Sequence, residues 1–456
     1  MRLVSNGMKL TFYGGAKAVT GANYLLESGS TKILIDCGMP QGGSESQEIH
    51  DFLYDPHTID GVCITHGHID HTGRLPQLVK KGFSGKIFST PPTKKIAELL
   101  LFDSEHVLRE HAKKEGKPTL YDKSDVIKTL GLWETMYYGK EFTIGDFTVK
   151  LINAGHVLGS SSILIKAEGK TIVFSGDLGN ALMPFLKRTE YPGNVDYALI
   201  ESTYGDRLHE DVEKRKDLLE NAIEEVSARG GVLMIPSFAL ERTQEMMFEI
   251  NELVEHKRIP NIPIFIDSPL AIRLTEIFKE YMNDSVYFSE AAVKLVKEGD
   301  KIFDFHGLHI TLRSNDSKKI RGVPPPKVII AGSGMSQGGR ILFHEKEYLP
   351  EEKNAILFIG YQAEGTLGRA IAEGARTVKI RDEEISVRCE VRSISGYSAH
   401  ADQAQLMKWA GSLQGSIKKL FVVQGEEAAA NTLAVKIRDE LAIDTKVPSS
   451  GESMVL

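Results

Sequence analysis

The chain has 456 residues, 41% of them hydrophobic and 26% charged, and a formal net charge of -7 at pH 7. This composition is that of a globular protein and excludes large-scale disorder, while the length favours two domains or one domain with a large insertion. No apolar run approaches the roughly 20 residues that span a bilayer, and the N-terminus lacks the apolar stretch of a signal peptide. We therefore expect a cytoplasmic protein with no membrane partner. Because the net charge is negative, any nucleic acid must bind to a local patch.

The first 200 residues alternate strand-like segments with loops. Helical spacing appears at residues 91–114 and near residues 124–132, which predicts helices outside a system of sheets in a layered α/β arrangement. Many of the strand-like segments end in a polar residue that could take part in chemistry. These segments are 8–13, 23–27, 32–36, 61–65, 86–89, 147–153, 161–167, 171–175 and 196–200.

Four side chains of metal-binding type stand within six residues, directly after the apolar run 61–65. They are His66, His68, Asp70 and His71. Neutral imidazole and carboxylate are the ligands of zinc in catalytic sites, and their spacing leaves too little room for one tetrahedral ion to use all four. The pattern predicts two adjacent metal ions, and a solvated polar loop is the alternative.

Two further candidates follow later strands of the same module. His156 follows the strand at 149–153 through Ala-Gly, and Asp177 follows the strand at 171–175 through Gly176. A lone histidine or aspartate after a strand is usually structural. These two share a module with the dense cluster, so we interpret them as further ligands.

After residue 201 the pattern changes to the alternation of helices and strands that is typical of a parallel sheet. Helices are predicted at 210–229, 241–255 and 271–281, and strands at 232–236, 262–266 and 328–331. The last stretch returns to short strands at 386–394 and 420–424 with a helix at 402–411, and we expect it to rejoin the first module.

A glycine-rich segment, Ser-Gly-Met-Ser-Gln-Gly-Gly-Arg at 333–340, follows the strand at 328–331 and opens a helix. Its backbone N–H groups could receive a phosphate at the positive end of that helix. A tight strand–helix turn without a ligand is equally compatible with the pattern.

The ligand candidates, together with Asp36 at the end of an earlier strand, occur in an order that resembles the metallo-β-lactamase superfamily. Six later segments resemble its β-CASP group of RNA- and DNA-processing nucleases, which includes the mRNA 3′-end cleavage factor and bacterial homologues without KH domains. These segments are 200–206, 235–244, 267–271, 333–340, 360–366 and 398–402. The resemblance covers nearly the whole chain.

The resemblance implies a fold and a domain order. The fold is α/β: a four-layer αβ/βα sandwich with its site at one edge of two sheets. A parallel-sheet α/β β-CASP module is inserted into it. The core would comprise residues 1–208 and 385–456, and the insertion residues 209–384.

The resemblance also implies a role for each metal-site residue. Six side chains would hold two zinc ions: His66, His68 and His156 the first, Asp70 and His71 the second, with Asp177 bridging them. Asp36 would orient a ligand, as carboxylates behind metal-bound histidines commonly do. Glu201 would orient His400, which would act with Asp70 in catalysis by donating a proton or hydrogen bond to the scissile phosphate or its leaving oxygen.

The residues implied to contact RNA lie in the inserted module. Arg340 and Arg369 are candidate phosphate clamps, since guanidinium binds phosphate through paired hydrogen bonds. The full set of predicted substrate contacts is Arg242, Ser333, Gly334, Gly338, Gly339, Arg340 and Arg369.

One position departs from the group's pattern. Where the group supplies a further zinc histidine in a Val-His-Gly-Glu motif, this chain has Gln424 in Val-Gln-Gly-Glu. An amide oxygen is a poor zinc donor beside imidazole, so we expect a weaker second site, with Mn²⁺ as an alternative ion.

We therefore expect a zinc-dependent ribonuclease that holds single-stranded RNA in the cleft between the two modules. A metal-activated hydroxide would hydrolyse the phosphodiester and leave a 5′-phosphate and a 3′-hydroxyl. Two alternatives stay open: a catalytically weakened RNA-binding subunit of a processing complex, and a hydrolase of small esters on the same fold. The sequence does not distinguish endonuclease from exonuclease action, and it does not decide whether the protein forms a homodimer.

Overall fold

The computed structural model describes residues 7–41, 51–181, 183–210, 212–360, 362–363 and 365–456. Its strands form three large sheets and one two-stranded ribbon. In chain order the strands are β1 (Lys9–Gly14), β2 (Asn23–Ser28), β3 (Thr31–Ile35), β4 (Gly61–Cys63), β5 (Lys86–Ser89), β6 (Trp133–Thr135), β7 (Glu141–Ile144), β8 (Phe147–Asn153), β9 (Ser161–Ala167), β10 (Lys170–Phe174), β11 (Tyr197–Glu201), β12 (Val232–Pro236), β13 (Ile264–Asp267), β14 (Leu308–Ile310), β15 (Lys327–Ala331), β16 (Ala355–Phe358), β17 (Thr377–Ile380), β18 (Glu383–Ser386), β19 (Glu390–Ser393), β20 (Lys419–Val423), β21 (Thr445–Lys446) and β22 (Ser453–Val455).

The α-helices of the described residues lie mostly between these strands along the chain. They are α1 (Ile69–Thr72), α2 (Leu75–Lys80), α3 (Pro91–Glu115), α4 (Lys123–Gly131), α5 (Val212–Ala228), α6 (Arg242–Glu255), α7 (Pro269–Tyr281), α8 (Glu290–Lys297), α9 (Ser314–Lys319), α10 (Ile341–Tyr348), α11 (Leu367–Ala372), α12 (Gln403–Gly411) and α13 (Glu427–Leu441).

The first two sheets share one hydrophobic core. The first sheet has the strand order β22-β1-β2-β3-β4-β5-β6, and the second has the order β21-β20-β11-β10-β9-β8-β7. Aromatic side chains pack across the space between them. The ring centroids of Phe12 and Phe421 are 5.3 Å apart, and those of Tyr24 and Phe174 are 6.1 Å apart. Burial of these rings from both sheets holds the sandwich together.

Helices cover the outer face of each of these two sheets. On the first sheet, α2, α3 and α4 bury Leu78, Leu101 and Val126. On the second sheet, α12 and α13 bury Leu406 and Leu433. The result is the predicted four-layer αβ/βα sandwich.

The third sheet is the predicted parallel sheet, with the order β14-β13-β15-β12-β16-β19 and parallel pairing at each step. Every residue of β12 and β15 is buried, as expected for central parallel strands covered on both faces. One face packs against α5, α6 and α7, and the other against α10 and α11.

Helix α3 shows how the sequence sets the limits of an element near the site. Thr90 caps its start by accepting a hydrogen bond from the backbone N–H of Thr93, and Gly116 ends it with φ 65° in the left-handed region. The hydroxyls of Thr90 and Thr93 also donate to the carbonyl of Gly159, at 2.6 and 2.9 Å. These bonds tie the helix to the loop that carries His156.

Several predicted elements have the predicted limits, because their apolar runs are bounded by turns. Strands β5, β8, β9 and β12 are examples. Strand β16 and helix α13 were not predicted from the sequence. The strand expected at 386–394 is shorter and pairs in parallel with β16 in the third sheet, so the chain returns to the second sheet after it. The domain boundaries at 208 and 384 stay a prediction.

Cys37, Cys63 and Cys389 are buried free thiols, as their apolar surroundings in the sequence indicate. Within the described ranges, no helix is long and apolar enough to cross a membrane.

Candidate metal centre

The candidate ligands lie at one edge of the sandwich, because each follows or ends a strand of the first two sheets. Asp36 follows β3, His66 follows β4, His156 follows β8 and Asp177 follows β10, in each case within three residues. Glu201 is the last residue of β11, and Gln424 comes directly after β20.

A tight loop after β3 positions α1, which carries Asp70 and His71. The backbone N–H of Cys37 donates to the carbonyl of His71 at 2.8 Å, and that of Ala22 donates to the carbonyl of Asp70 at 2.9 Å. Gly38 has no room for a side chain, since a Cβ there would lie 1.6 Å from the Asp70 carbonyl oxygen. Asp70 and His71, the candidate ligands of the second metal ion, are therefore held by these backbone contacts as well as by their helix.

Four nitrogen and oxygen atoms converge at the first metal position: His66 Nε2, His68 Nδ1, His156 Nε2 and Asp177 Oδ2. The carboxylate oxygen lies 3.5 Å from His66 Nε2 and 3.4 Å from His156 Nε2. His68 Nδ1 lies 2.9 Å from His66 Nε2 and 3.4 Å from His156 Nε2. A tetrahedral zinc ion with ligand distances of about 2.0–2.2 Å separates its donors by roughly 3.3–3.6 Å. Three of the four distances lie in that range and the distance between His66 and His68 is shorter, so the set fits one tetrahedral metal ion.

The second metal position is formed by Asp70, His71 and the other oxygen of Asp177. His71 Nε2 lies 3.7 Å from Asp70 Oδ2 and 3.3 Å from Asp177 Oδ1. Gln424 is the fourth side chain here. Its Nε2 donates to Asp177 Oδ1 at 2.7 Å and lies 3.1 Å from His71 Nε2. The amide therefore contacts two of the three atoms that a second ion would use.

Asp36 lies behind the second position and contacts His71 there. Its Oδ2 accepts hydrogen bonds from Nδ1 of His71 at 2.7 Å and from the hydroxyl of Thr65 at 2.8 Å, and its Oδ1 accepts from the backbone N–H of Thr65 at 2.8 Å. A proton held on Nδ1 leaves Nε2 to face the metal position. His156 is oriented in the same way by the backbone carbonyl of Ala399, 3.2 Å from its Nδ1.

The three histidines of the first position are neutral. Burial lowers the pKa of His66 and His156 well below the usual range and that of His68 to about 3. Metals bind neutral imidazole, so these side chains are already in the ligand form at neutral pH.

His71 behaves differently. Burial opposes its charge, but the carboxylates of Asp177, Asp36 and Asp70 outweigh burial and raise its pKa well above the usual range. Burial also raises the pKa of Asp70 to about 6. At the second position an ion must therefore displace a proton from His71, whereas the imidazoles at the first position are already neutral.

Glu201 and His400 form a hydrogen-bonded pair beside the first position. His400 Nδ1 lies 3.1 and 3.2 Å from the two oxygens of Glu201 and 3.9 Å from Asp177 Oδ2. Glu201 is fully buried and also accepts the backbone N–H of Leu178 at 2.7 Å. Burial opposes the charge of His400, but Glu201 raises its pKa to about 9. The imidazole is therefore held as a proton donor.

The glycine-rich segment forms a turn that is bonded to itself. The hydroxyl of Ser333 accepts the backbone N–H groups of Gln337 and Gly338 at 3.1 and 3.2 Å. Gly339 has φ 72°, and a Cβ there would lie 2.2 Å from the carbonyl oxygen of Gly332. Gly334 packs against the ring of Phe238. The contacts of Ser333, Gly334, Gly338 and Gly339 with RNA stay a prediction.

Both candidate phosphate clamps already donate hydrogen bonds to acceptors within the protein. Arg340 donates to Asp267 at 2.7 Å and to the carbonyls of Thr311 and Leu312 at 2.7 and 2.9 Å. Arg369 donates to Glu373 at 2.6 Å. Binding of a phosphate by either side chain would exchange one of these bonds, and both roles stay predictions.

Among the predicted substrate contacts, Arg242 acts electrostatically on one of the candidate metal ligands. Burial is the main cause of the lowered pKa of His68, and the Arg242 charge adds to it. Its Nε and Nη1 are buried and have no hydrogen-bond acceptor among the described residues.

Apart from Asp36, sequence reasoning missed the residues that hold the candidate ligands in place. Thr65 directly precedes the histidine cluster, so its position was a usable signal. His209, whose Nε2 donates to the carbonyl of His400 at 3.0 Å, and Ala399 carry no such signal. Their roles depend on contacts between segments far apart in the chain.

Three family models match the chain in sequence order. They are the metallo-beta-lactamase superfamily at residues 17–189, the Beta-Casp domain at residues 243–371, and the Zn-dependent metallo-hydrolase RNA specificity domain at residues 384–448. The first covers all six predicted ligands and Asp36. The third covers His400 and Gln424.

The chain is also similar to curated proteins over nearly its whole length. It is 36% identical to Ribonuclease TTHA0252 of Thermus thermophilus over 421 residues, which are 92% of this chain and 94% of that protein. It is 32% identical to Transcription termination factor FttA of Methanosarcina mazei over 475 residues, 98% of this chain and 72% of that protein. A crystal structure of an Enterococcus faecalis V583 protein of unknown function shares the fold with a TM-score of 0.56 at 12% identity, covering 99% of this chain and 100% of that one.

Proposed function

Because the chain belongs to the β-CASP group of the metallo-β-lactamase superfamily and is a metal-dependent hydrolase, we propose that it is a zinc-dependent ribonuclease acting on single-stranded RNA. The observation that carries the proposal is the convergence of three imidazole nitrogens and one carboxylate oxygen at the first metal position, with the His400–Glu201 pair beside it. A proton donor next to a metal site is what hydrolysis of a phosphodiester requires.

The residues present fit a metal ion at the first position, which His66, His68, His156 and Asp177 would hold. When bound, the ion supplies Lewis-acid activation of water and of a phosphate oxygen. The protein contributes orientation: Asp36 and the carbonyl of Ala399 fix the tautomers of His71 and His156.

The proposed acid is His400. Its Nδ1 is engaged by Glu201, so Nε2 is the nitrogen that would donate a proton to the leaving 3′-oxygen. That departure leaves a 3′-hydroxyl on one product and a 5′-phosphate on the other. Glu201 acts through His400 by keeping it charged, and Asp70 serves at the second metal position.

We propose one firmly held zinc ion and a second, weaker ion, with Mn²⁺ as an alternative. Support comes from Gln424, which hydrogen bonds to Asp177 Oδ1 and approaches His71 Nε2. A second ion would have to displace this amide or receive its oxygen after the amide turns over, and amide oxygen is a poorer zinc donor than imidazole. Binding there is weakened, not blocked.

The RNA-binding subunit without catalysis is less well supported. Such a protein has no need of a proton donor held by a buried carboxylate, yet Glu201 and His400 are paired here and the first position has its full donor set. A cytoplasmic location and RNA as the partner, both expected from the sequence, are proposals, and so is the homodimer that the sequence leaves open.

A substrate panel tests the proposal. Purified protein with added Zn²⁺ would be incubated with 5′-labelled single-stranded RNA, a small phosphodiester and a thioester, and the ends of the RNA products would be mapped. We expect RNA to be cut at the highest rate, with 5′-phosphate and 3′-hydroxyl ends. RNA that is bound but left intact would favour the binding subunit, and faster turnover of the thioester would favour the small-ester hydrolase.

A further inference from the structure

Phe238 is an exposed aromatic residue in the loop between β12 and α6. It is 38% exposed, although Ser237 and Leu240 of the same loop are buried. Among the described residues, no aromatic ring stacks on Phe238 and no cation lies over it. The exposed ring of Phe343, in contrast, has the guanidinium of Arg381 over it at 4.4 Å from the ring centroid. The Phe238 ring is therefore accessible to a ligand.

The surrounding backbone holds this ring in place. The ring lies against Gly334, where a Cβ would be only 2.5 Å from Cδ2 of Phe238, so only glycine leaves room for it. The carbonyl of Gly334 accepts a hydrogen bond from Nε2 of Gln362 at 3.0 Å, and the carbonyl of Phe238 accepts one from the hydroxyl of Thr243 at 2.8 Å. One side of the ring is thus supported while the rest faces solvent, and little conformational entropy is lost when a ligand binds to it.

The ring lies where the helices of the third sheet change sides. Strands β12 and β15 are neighbours that pair in parallel and end at Pro236 and Ala331. The chain runs from β12 through Phe238 to α6 on one face of the sheet, and from β15 through Gly334 to α10 on the other face. In open parallel sheets, ligands bind in the crevice that forms at the carboxyl ends of the strands at such a point. Phe238 and Gly334 therefore lie where this kind of sheet takes its ligand.

The loop that carries Phe238 also reaches the metal-binding core. Leu240 is buried in the same hydrophobic cluster as Val157, which directly follows the candidate ligand His156. Neighbouring Cα atoms are about 3.8 Å apart, so the Cα of Phe238 lies at most about 8 Å from that of Leu240. A strand that is bound at the metal centre can therefore place one of its bases on this ring.

We propose that Phe238 forms a nucleobase-binding site, in which its ring stacks on a base of the single-stranded RNA. The inference rests on the proposed function, since it takes RNA as the ligand. Stacking needs no positive charge on the protein, which suits a chain of net charge -7 whose Arg340 and Arg369 already donate to internal acceptors. Every base has a π face, so the site adds affinity for all bases and favours those that stack most strongly.

The first test compares two competitor strands on variants of this ring. Unlabelled oligo-A and an abasic ribose–phosphate strand of equal length would each inhibit cleavage of a labelled RNA, and the inhibition constants would be measured on the metal-loaded protein. Phe238→Ala removes the ring, Phe238→Leu keeps an apolar side chain without a flat face, and Phe238→Trp keeps a stacking surface. Ile127→Ala, which shortens a 55% exposed side chain of α4, is the control. Circular dichroism checks folding.

We expect Phe238→Ala to bind oligo-A about tenfold more weakly and the abasic strand as the wild type does, since only a base can stack on the ring. Phe238→Leu should lose most of this affinity, whereas Phe238→Trp and the control should keep it. A folded Phe238→Ala with wild-type affinity for oligo-A would overturn the inference and favour a protein contact at the ring. Equal losses for the two strands would also overturn it, because the ring would then shape the cleft without stacking.

The second test needs neither cleavage nor a folded alanine variant. Trp133 and Trp409 are buried, so Phe238→Trp adds an exposed indole whose fluorescence reports on the ring. Oligo-A should quench this fluorescence, and the abasic strand should leave it unchanged. Absence of quenching by saturating oligo-A would overturn the inference. Quenching by oligo-A in a protein that cuts no RNA would support the base-binding site and refute the proposed nuclease.

Discussion

The two metal positions share Asp177 and differ in what surrounds it. At the first, three neutral imidazoles converge with Asp177, and those of His66 and His156 are fully buried. At the second, Asp70 and His71 share the bridging carboxylate with the amide of Gln424. Gln424, which follows β20, thus accounts for the difference. An ion at the second position must displace the hydrogen bond from Gln424 to Asp177, and an ion at the first position need not.

The protonation of the histidines adds to the difference in metal binding between the two positions. The pKa of each first-position histidine is lowered by burial, whereas three carboxylates raise the pKa of His71. An ion at the first position meets imidazoles that are already neutral at neutral pH. An ion at the second must compete with a proton as well as with the amide.

The largest expected effect comes from removing a first-position ligand. His156→Ala should lower the retained zinc by about one ion per chain and reduce RNA cleavage by roughly 10³-fold or more, since a catalytic ion contributes several kcal/mol to the barrier. Zinc content by mass spectrometry and cleavage of labelled RNA would measure both. His111→Ala, at an exposed position of α3, is the matched control. Unchanged zinc content in His156→Ala would show that the tight ion lies elsewhere.

A smaller effect should follow from changing the acid while leaving the metal ligands in place. Glu201→Gln removes the charge that holds the pKa of His400 at about 9. Cleavage needs the protonated imidazole, so the rate falls as pH rises through this pKa, and in the variant the fall should begin at lower pH. At neutral pH we expect a loss of roughly 100-fold. The profile of kcat/KM against pH measures it. A variant profile that coincides with the wild type would exclude His400 as the acid.

The second position should be sensitive to pH in a way that the first is not. Because the pKa of His71 is raised, lowering the pH keeps this imidazole protonated and should weaken binding of the second ion by about tenfold per pH unit. Titration calorimetry in two buffers of different ionisation enthalpy would detect the released proton. Equal pH dependence at both positions between pH 6.5 and 8 would contradict the comparison.

The smallest expected change is a gain. Gln424→His should replace the amide with an imidazole donor, strengthen the second ion by about tenfold and raise turnover severalfold. Gln424→Leu removes the amide without adding a ligand and separates the two causes. If neither variant changes metal affinity, the amide does not control the second position.

The sequence predicted the ligand set because its residues lie at strand ends in an order characteristic of the fold. The departure at Gln424 was also visible, since it falls inside a recognisable motif. The contacts that rank the two positions could not be predicted. The bond from Gln424 to Asp177 joins residues 247 positions apart. The raised pKa of His71 depends on its neighbour Asp70 and also on Asp36 and Asp177, which lie on two other loops.

The placement of strands was predictable where apolar runs are continuous and not where pairing partners are distant. The continuous apolar run at 232–236 predicts a buried strand, and β12 lies at those residues. Strand β19 has no fully buried residue, so its pattern could not show that it joins the third sheet beside β16.

The most direct test of the account is metal content measured together with cleavage of 5′-labelled single-stranded RNA, on the native protein and on His68→Ala. After dialysis against metal-free buffer the native protein should retain about one zinc ion per chain and cut RNA once zinc is restored. A second ion should bind only at higher free metal, and His68→Ala should neither retain zinc nor cut. Native protein that fills both positions equally and tightly would contradict the comparison, and RNA left intact with both positions filled would contradict the proposed nuclease.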